Sequence, residues 1–187
     1  FDQIVSQVAK MRNRSNGMLP MPITIRIPFG GGIGAVEHHS ESPEAYFAHT
    51  AGLKVVACSS PSDAYWMIQQ AVHCDDPVIF LEPKRRYWGK GEISSAPLGL
   101  HQARIVQPGR DVTVVAYGPM VATALEAAAV APVSVEVIDL RSLSPLDTVA
   151  VVASVERTGR LIVVHEASVS YGPGAEIAAR VQQQAFY

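Results

Sequence analysis

The residues best suited to chemistry are Glu37-His38-His39-Ser40-Glu41, where two carboxylates bracket two imidazoles and a hydroxyl. An imidazole changes charge near neutral pH, so one of these histidines can serve as acid, base or hydrogen-bond donor. The two are adjacent. In extended chain they point to opposite sides, which argues against both ligating one metal. Neither HExxH nor any other helical histidine pair occurs, so metal catalysis is disfavoured. Ser40 lacks the G-x-S-x-G turn of a hydrolase nucleophile. On spacing alone, a surface histidine pair in a turn competes evenly with a functional reading. The upstream glycines and flanking carboxylates favour a histidine-bearing site near residue 39. His165-Glu166, at the end of the last expected strand, reads as a domain or subunit contact. His49, His73 and His101 read as ordinary helix or loop residues.

The cluster needs elements to position it. Ile23, Thr24, Ile25 and Ile27 form a β-branched run that predicts a buried strand. Gly30, Gly31, Gly32 and Gly34 follow, where a ligand or another chain can approach the backbone closely. Ser42 is an expected N-cap, with Pro43 at the first helical position and Glu44 in the first turn. Gly30 to Ala35 also fits G-x-G-x-x-A after a strand. However, no helix starts on the glycines, and the next strand ends in Ser59-Ser60 rather than in an acid for a ribose, which disfavours dinucleotide binding.

The rest alternates between strand and helix patterns. Ile4, Val5, Val8 and Met11 predict a helix over 1–14, stopped by Ser15-Asn-Gly17. A short helix over 43–50 precedes a strand over 53–58. Ser60-Pro-Ser-Asp63 reads as a capping box opening helix 61–74, with Ala64, Met67, Ile68, Ala71 and Val72 as its apolar stripe. A strand over 78–81 ends at Glu82-Pro83. Lys84 to Leu100 lacks periodicity and reads as an interdomain linker. Its Lys84-Arg85-Arg86 is better read as a solvated loop than as a phosphate clamp. Strands over 112–117, 133–139 and 161–165 then alternate with helices over 120–130, 145–156 and 175–186. Ser144-Pro-Leu-Asp147 is a second expected capping box, and Asp139-Leu-Arg141 an expected loop ion pair. Val- and Ile-rich strands between helices imply an α/β fold of two doubly wound, mainly parallel-sheet domains.

The chain has 187 residues, 48% hydrophobic and 17% charged, with a net charge of −2. That balance gives no basic field for nucleic acid or anionic lipid. Cys58 and Cys74 make neither a disulfide framework nor a zinc spacing, and read as small buried or half-buried residues in a reducing compartment. No apolar run approaches the roughly 20 residues needed to span a bilayer. The chain opens and stops inside helical patterns, which reads as a piece of a longer polypeptide.

His39-Ser-Glu-Ser-Pro-Glu-Ala-Tyr-Phe-Ala-His49, with Gly52-Leu-Lys-Val-Val56 behind it, resembles the β subunit of the thiamine-diphosphate-dependent 2-oxoacid dehydrogenases, the E1 component. Asp75-Asp-Pro-Val-Ile-Phe-Leu-Glu-Pro-Lys-Arg-Arg-Tyr87 is similar to the end of that family's pyrimidine-binding domain. Val135 to Asp147 and Gly159 to Ala167 are similar to its transketolase-like C-terminal domain. The likeness runs from Phe1 to Tyr187. It implies a partial pyrimidine-binding domain over 1–83, a linker over 84–100 and an incomplete C-terminal domain over 101–187. The Ser-Pro-Glu-Ala-Tyr-Phe and Leu-Glu-Pro-Lys stretches look most like the branched-chain members. Pyruvate or acetoin dehydrogenase β subunits are the alternative within the class, and a non-catalytic assembly module the alternative outside it.

The resemblance implies an α2β2 heterotetramer that decarboxylates a 2-oxoacid and passes the acyl group to a lipoyl-bearing E2 acyltransferase, as in branched-chain amino acid catabolism. Partners would be an α subunit, a second β subunit and E2. The cofactors would be thiamine diphosphate with Mg2+, shared with the α subunit, and K+. His39 matches the family's active-site histidine, with His38, Ser40 and Glu41 as walls of the pocket. Glu41 stands where the family has Gln, and His38 where it usually has Tyr or Gln. The family's thiamine contacts fall upstream of Phe1 and on the partner subunit. Its monovalent cation would be held by backbone oxygens near Ile23, Ala71, Cys74 and Asp76. A bacterial cytoplasm is the favoured setting, with the mitochondrial matrix expected if the source is eukaryotic.

Overall fold

The computed structural model describes residues 1–185. It contains two four-stranded sheets. The first has strands β1 (Thr24–Phe29), β2 (Lys54–Ala57), β3 (Val78–Pro83) and β7 (Ser142–Ser144), in the order β1-β3-β2-β7. The second has β4 (Arg104–Gln107), β5 (Val112–Ala116), β6 (Val135–Asp139) and β8 (Leu161–Val164), in the order β4-β6-β5-β8. β3 pairs in parallel with β1 and β2, and β5 with β6 and β8. The expected doubly wound α/β architecture is present. Each sheet is completed by one antiparallel edge strand, β7 on β2 and β4 on β6.

Those two edge strands were not expected. Ser142–Ser144 is three residues long and Arg104–Gln107 four, too short for periodicity to register. β7 also crosses between the halves. It follows β6 of the second sheet yet pairs with the first, so the two sheets share one core. That core runs from Phe29, Val55 and Leu81 through Leu143 to Val115, Ile138 and Val155. Such interdigitated apolar surface, removed from water at about 25 cal/mol per Å², makes the halves one packed body.

The helices largely follow their patterns. A wide-turn helical segment, Ile4–Val8, leads into α1 (Ala9–Arg14), and α2 spans Glu44–Ala48. α3 (Pro61–Val72) is capped as expected, with Ser60 Oγ accepting from Asp63 N at 3.1 Å. Met67 and Ala71 are buried on its inner face, but Val72, the last residue of the helix, is 56% exposed and lies outside the expected stripe. α4 spans Met120–Val130, α5 Thr148–Thr158 and α6 Pro173–Ala185. Residue 186 of the expected last helix, and Tyr187, lie outside the described residues. α5 begins three residues later than expected. Asp147, not Ser144, caps it by accepting from Ala150 N at 3.2 Å. Ser144 is already paired in β7.

The segment after Lys84 has no regular structure beyond a short 3-10 turn, Lys84–Arg86, yet it is not a free tether. Trp66 Nε1 donates to Ser94 O at 2.9 Å and Gln70 Nε2 to Leu98 O at 2.8 Å, which lays it along α3. Cys58 is buried and Cys74 half-buried, both as free thiols. Burial pushes the Cys58 thiol up to about 12. Among the described residues no helix is long and apolar enough to cross a membrane.

Candidate functional site

The histidine cluster lies on a loop from Gly30 to Pro43, leaving the C-terminal end of β1 and entering α2. Gly30, Gly32 and Gly34 all take positive φ, which lets the chain fold back on itself. The loop closes where Gly30 N donates to Glu41 O at 2.9 Å. At its crest, Glu37–His39 forms a 3-10 turn rather than extended chain. This overturns the expectation that the two imidazoles diverge. Their ring centroids are 4.1 Å apart, with the planes tilted by 42°. Both histidines are exposed, and His38 Nδ1 lies 3.6 Å from Glu37 Oε1. Ser40 turns inward, and its Oγ donates to Ala35 O at 3.2 Å, which spends the hydroxyl on holding the loop. Glu41 is exposed beside the turn.

The basic run after β3 is not simply solvated. Lys84 Nζ donates to the carbonyl of His39, tying the crest of the loop to the end of the adjacent strand. Arg85 Nη2 pairs with Glu166 Oε1 at 3.1 Å and contacts Met120 Sδ at 3.3 Å. These partners come from the second sheet's domain, so the loop sits over the junction of the two halves. Nothing in the local sequence around Lys84 marks this role. The signal would have been a lysine just past the C-terminal end of the strand next to β1.

Beneath the loop lies a buried polar floor. The expected cap at Ser42 does not form. α2 starts at Glu44 with Pro43 in the cap position, and Ser42 Oγ is buried without a partner. Glu44 is fully buried, and neither carboxylate oxygen has a hydrogen-bond partner within the protein. Burial raises its pKa, because an ionised carboxylate loses its water there without a compensating charge. Tyr117, just past β5, is 1% exposed with its hydroxyl unpartnered, and burial together with Glu44 raises its pKa. Glu166 Oε2 is likewise buried and unpartnered. It crowds Gly30, where an added Cβ would lie 2.6 Å from Oε2 and one of the two would have to shift.

His165 serves the backbone. Its Nε2 accepts from Gly174 N at 3.2 Å and its Nδ1 faces Ala167 O at 3.1 Å. This is the pattern of a ring that carries its proton at Nδ1. The ring also stacks on Tyr117 at 6.2 Å. A cleft of about 1320 Å³ opens beside this floor, lined by Glu41, Ser42, His49, Glu166 and Tyr171 among others. His101 is not an ordinary loop residue. It bonds Ser142 at 3.0 Å, and burial lowers its pKa to about 4.

The four residues named for a monovalent cation lie at the other end of the first sheet. Val78 N donates to Ile23 O at 2.9 Å and Cys74 N to Ala71 O at 3.1 Å, while the Asp76 carboxylate is taken by Arg12 and Lys54.

Residues 1–89 match the transketolase pyrimidine-binding domain, and residues 101–187 the transketolase C-terminal domain. The chain belongs to the transketolase-like family. A split-gene transketolase, solved as an inactive beta4 tetramer, is similar in fold at a TM-score of 0.80 and 22% identity, over 98% of this chain and 58% of that one. Curated relatives are nearer in sequence. The pyruvate dehydrogenase E1 component subunit beta of Leifsonia xyli is 58% identical over 100% of this chain and 57% of its own length. The 3-methyl-2-oxobutanoate dehydrogenase subunit beta of Mycobacterium tuberculosis is 53% identical over 100% of this chain and 56% of its own. The 2-oxoisovalerate dehydrogenase subunit beta of Pseudomonas aeruginosa is 43% identical, again over all of this chain and 59% of its own length. Within the family, the chain is thus a relative of the β subunits of 2-oxoacid dehydrogenase E1 components. It spans about half the length of the curated relatives it matches.

Proposed function

We propose that this chain is part of the β subunit of a 2-oxoacid dehydrogenase E1 component that takes branched-chain 2-oxoacids. The observation that carries the reading is the presentation of His39: exposed, backed by His38, and held by Lys84 on a loop at the C-terminal end of a pyrimidine-domain sheet. Such strand ends are where α/β proteins gather their site residues.

In this reading a 2-oxoacid loses CO2, and its acyl carbon leaves two electrons in the lipoyl disulfide of an E2 acyltransferase. One sulfur takes the acyl group and the other takes a proton. His39 is the group that delivers this proton and hydrogen-bonds the reacting oxygen. Thiamine diphosphate, when bound, supplies the electron sink for decarboxylation. Its fit rests on the exposed His38–His39 face, which is open to a cofactor presented from an α subunit. Mg2+ would accompany the diphosphate on the α-subunit side of the site. K+ is assigned to the backbone around Ile23, Ala71, Cys74 and Asp76. Glu41 adds an exposed negative charge two residues after His39. The assembly is an α2β2 heterotetramer with a second β subunit. The bacterial cytoplasm is its proposed setting, on the strength of the bacterial relatives.

The test uses the complete gene product co-expressed with its α subunit. Turnover of 3-methyl-2-oxobutanoate and of pyruvate is measured with an artificial electron acceptor, with and without thiamine diphosphate. Thiamine-dependent turnover favouring the branched acid is expected, together with loss of acyl transfer in His39→Ala. Full activity of that variant overturns the role of His39. A second reading, pyruvate as substrate, is favoured by the 58% identity to the Leifsonia xyli subunit, and a preference for pyruvate selects it. No turnover of either acid by a folded assembly returns the chain to a non-catalytic assembly module.

A further inference from the structure

Both ends of the His39 loop rest on one buried cluster. At the entry, Gly30 packs on Glu166, whose Oε2 would lie 2.6 Å from an added Cβ. At the exit, Glu44 opens α2 fully buried, in the company of Tyr117 and Glu166 from the second domain. We propose that Glu44, Tyr117 and Glu166 form an interdomain clamp that positions His39 by fixing both ends of its loop. The proposal rests on the reading of His39 given above.

The chemistry of the cluster supports this. Two ionised carboxylates close together where water is scarce destabilise one another, since each loses solvation and gains repulsion. Glu166 already has a counterion, because its Oε1 pairs with Arg85 at 3.1 Å. Glu44 has both oxygens unpartnered. A proton on Glu44 turns it from a repelled anion into a donor, and the free Oε2 of Glu166 and the hydroxyl of Tyr117 are acceptors. Tyr117 is in turn held by its stack on His165, whose two nitrogens are occupied by the backbone. The clamp is therefore anchored in the second domain. Gly30 N to Glu41 O then cinches the loop above it. Any shift of the two domains at this junction moves the base of the loop.

The experiment compares Glu44→Gln, Glu44→Leu and Tyr117→Phe in the complete α2β2 assembly, with hydrogen–deuterium exchange of segment 30–42 beside steady-state kinetics. Glu44→Leu and Tyr117→Phe are expected to speed exchange of that segment about tenfold, as a local opening made easier. They are also expected to lower kcat about 10- to 100-fold with KM little changed, the cost of a misplaced catalytic group. Glu44→Gln, neutral and still a donor, is expected to behave as the parent in both readouts. Wild-type exchange and kcat in Tyr117→Phe overturns the clamp, and that variant removes only a hydroxyl, so it tests the proposal even if Glu44→Leu fails to fold. Damage in Glu44→Gln equal to that in Glu44→Leu overturns the protonated acid. Should His39→Ala prove fully active, the function reading falls while the exchange result still judges the clamp.

Discussion

Arg141 Nε lies 3.0 Å from Asp63 Oδ1, joining residues 78 positions apart, and the two side chains are only 1% and 4% exposed. The pair bridges the first residues of α3 to the strand connection that carries β7 into the first sheet. Arg141 takes a φ of +56°, and its Nη1 donates to Gly99 O at 3.0 Å and Gln102 O at 2.6 Å. An expected local ion pair between Asp139 and Arg141 is thus replaced by one that spans the two halves. Asp139 instead accepts from the Arg141 backbone N at 3.1 Å and from Ser59 Oγ.

Removing the guanidinium should be costly. Arg141→Met leaves Asp63 buried with only Arg104 as counterion, at 2.6 Å, and strands Gly99 O and Gln102 O. Losing one partner of a buried pair costs about 3–5 kcal/mol. Because Arg104 retains part of the neutralisation, the loss is expected at the lower end of that range. Urea unfolding of the complete protein checks this, and a change under about 1 kcal/mol would contradict it.

The same network sets a pH dependence. Burial pushes the Asp139 carboxyl up to about 6, offset in part by the Ser59 hydrogen bond, with Asp63 raising it and Arg104 lowering it. A carboxyl whose folded pKa is raised binds more protons in the folded state. Its contribution is therefore whole below the unfolded pKa of 3.8 and is lost as pH rises through about 6. Asp63 behaves oppositely. Burial alone would raise it, but Arg104, Ser60 and Arg141 together hold it below its ordinary value of 3.8. Its contribution is present above that value and lost as pH falls through its lowered folded pKa. Between about pH 4 and 6, Asp139 alone drives the slope from this network. Asp139→Asn is expected to flatten the fall in stability across that window, read as unfolding free energy against pH. An unchanged slope would refute the assignment.

Much of this architecture was legible from the residues. The Val-bearing runs at 53–58 and 112–117 are buried on both faces and announce themselves as central strands. Ser60 capped α3 as its spacing foretold, because a cap is a local event between residues three apart. What escaped notice was non-local. β7 exists only because the first sheet offers Val55 and Val56 as partners, and Arg141 is buried only because Asp63 faces it. The site divides the same way. His39 could be singled out from its polar neighbours and from family likeness. Lys84, Glu44 and Tyr117 gained their places only once the strand ends were brought together.

Lys84 should matter more to turnover than to stability. Its Nζ holds the His39 carbonyl from a partly exposed position. Such contacts add about 1 kcal/mol or less. Lys84→Met is therefore expected to shift the unfolding midpoint little. Freed from the end of β3, the 3-10 turn that orients His39 can rotate, and kcat should fall about tenfold or more. Lys84→Arg, which can still reach the carbonyl, should recover most of it. Equal kcat in Lys84→Met and the parent would show that the turn holds itself.

Gly30→Ala tests the entry to the loop. The residue has a φ of +85°. In that region a side chain adds on the order of 1–2 kcal/mol of strain. The added methyl would also meet Glu166 Oε2 at 2.6 Å. A carboxylate end can usually swing aside, but this one is held by Arg85 on its other oxygen at 3.1 Å. Relief therefore requires breaking that pair or displacing the loop. Gly31 is the control, since a Cβ there would touch nothing closer than Ser40 at 3.7 Å and its φ is not positive. Gly30→Ala is expected to lower stability by about 2 kcal/mol and turnover by more than Gly31→Ala does. Measuring both variants by urea unfolding and by decarboxylation in the assembled complex separates the two costs. Equal turnover in the two would mean that Glu166 does not hold the entry of the loop.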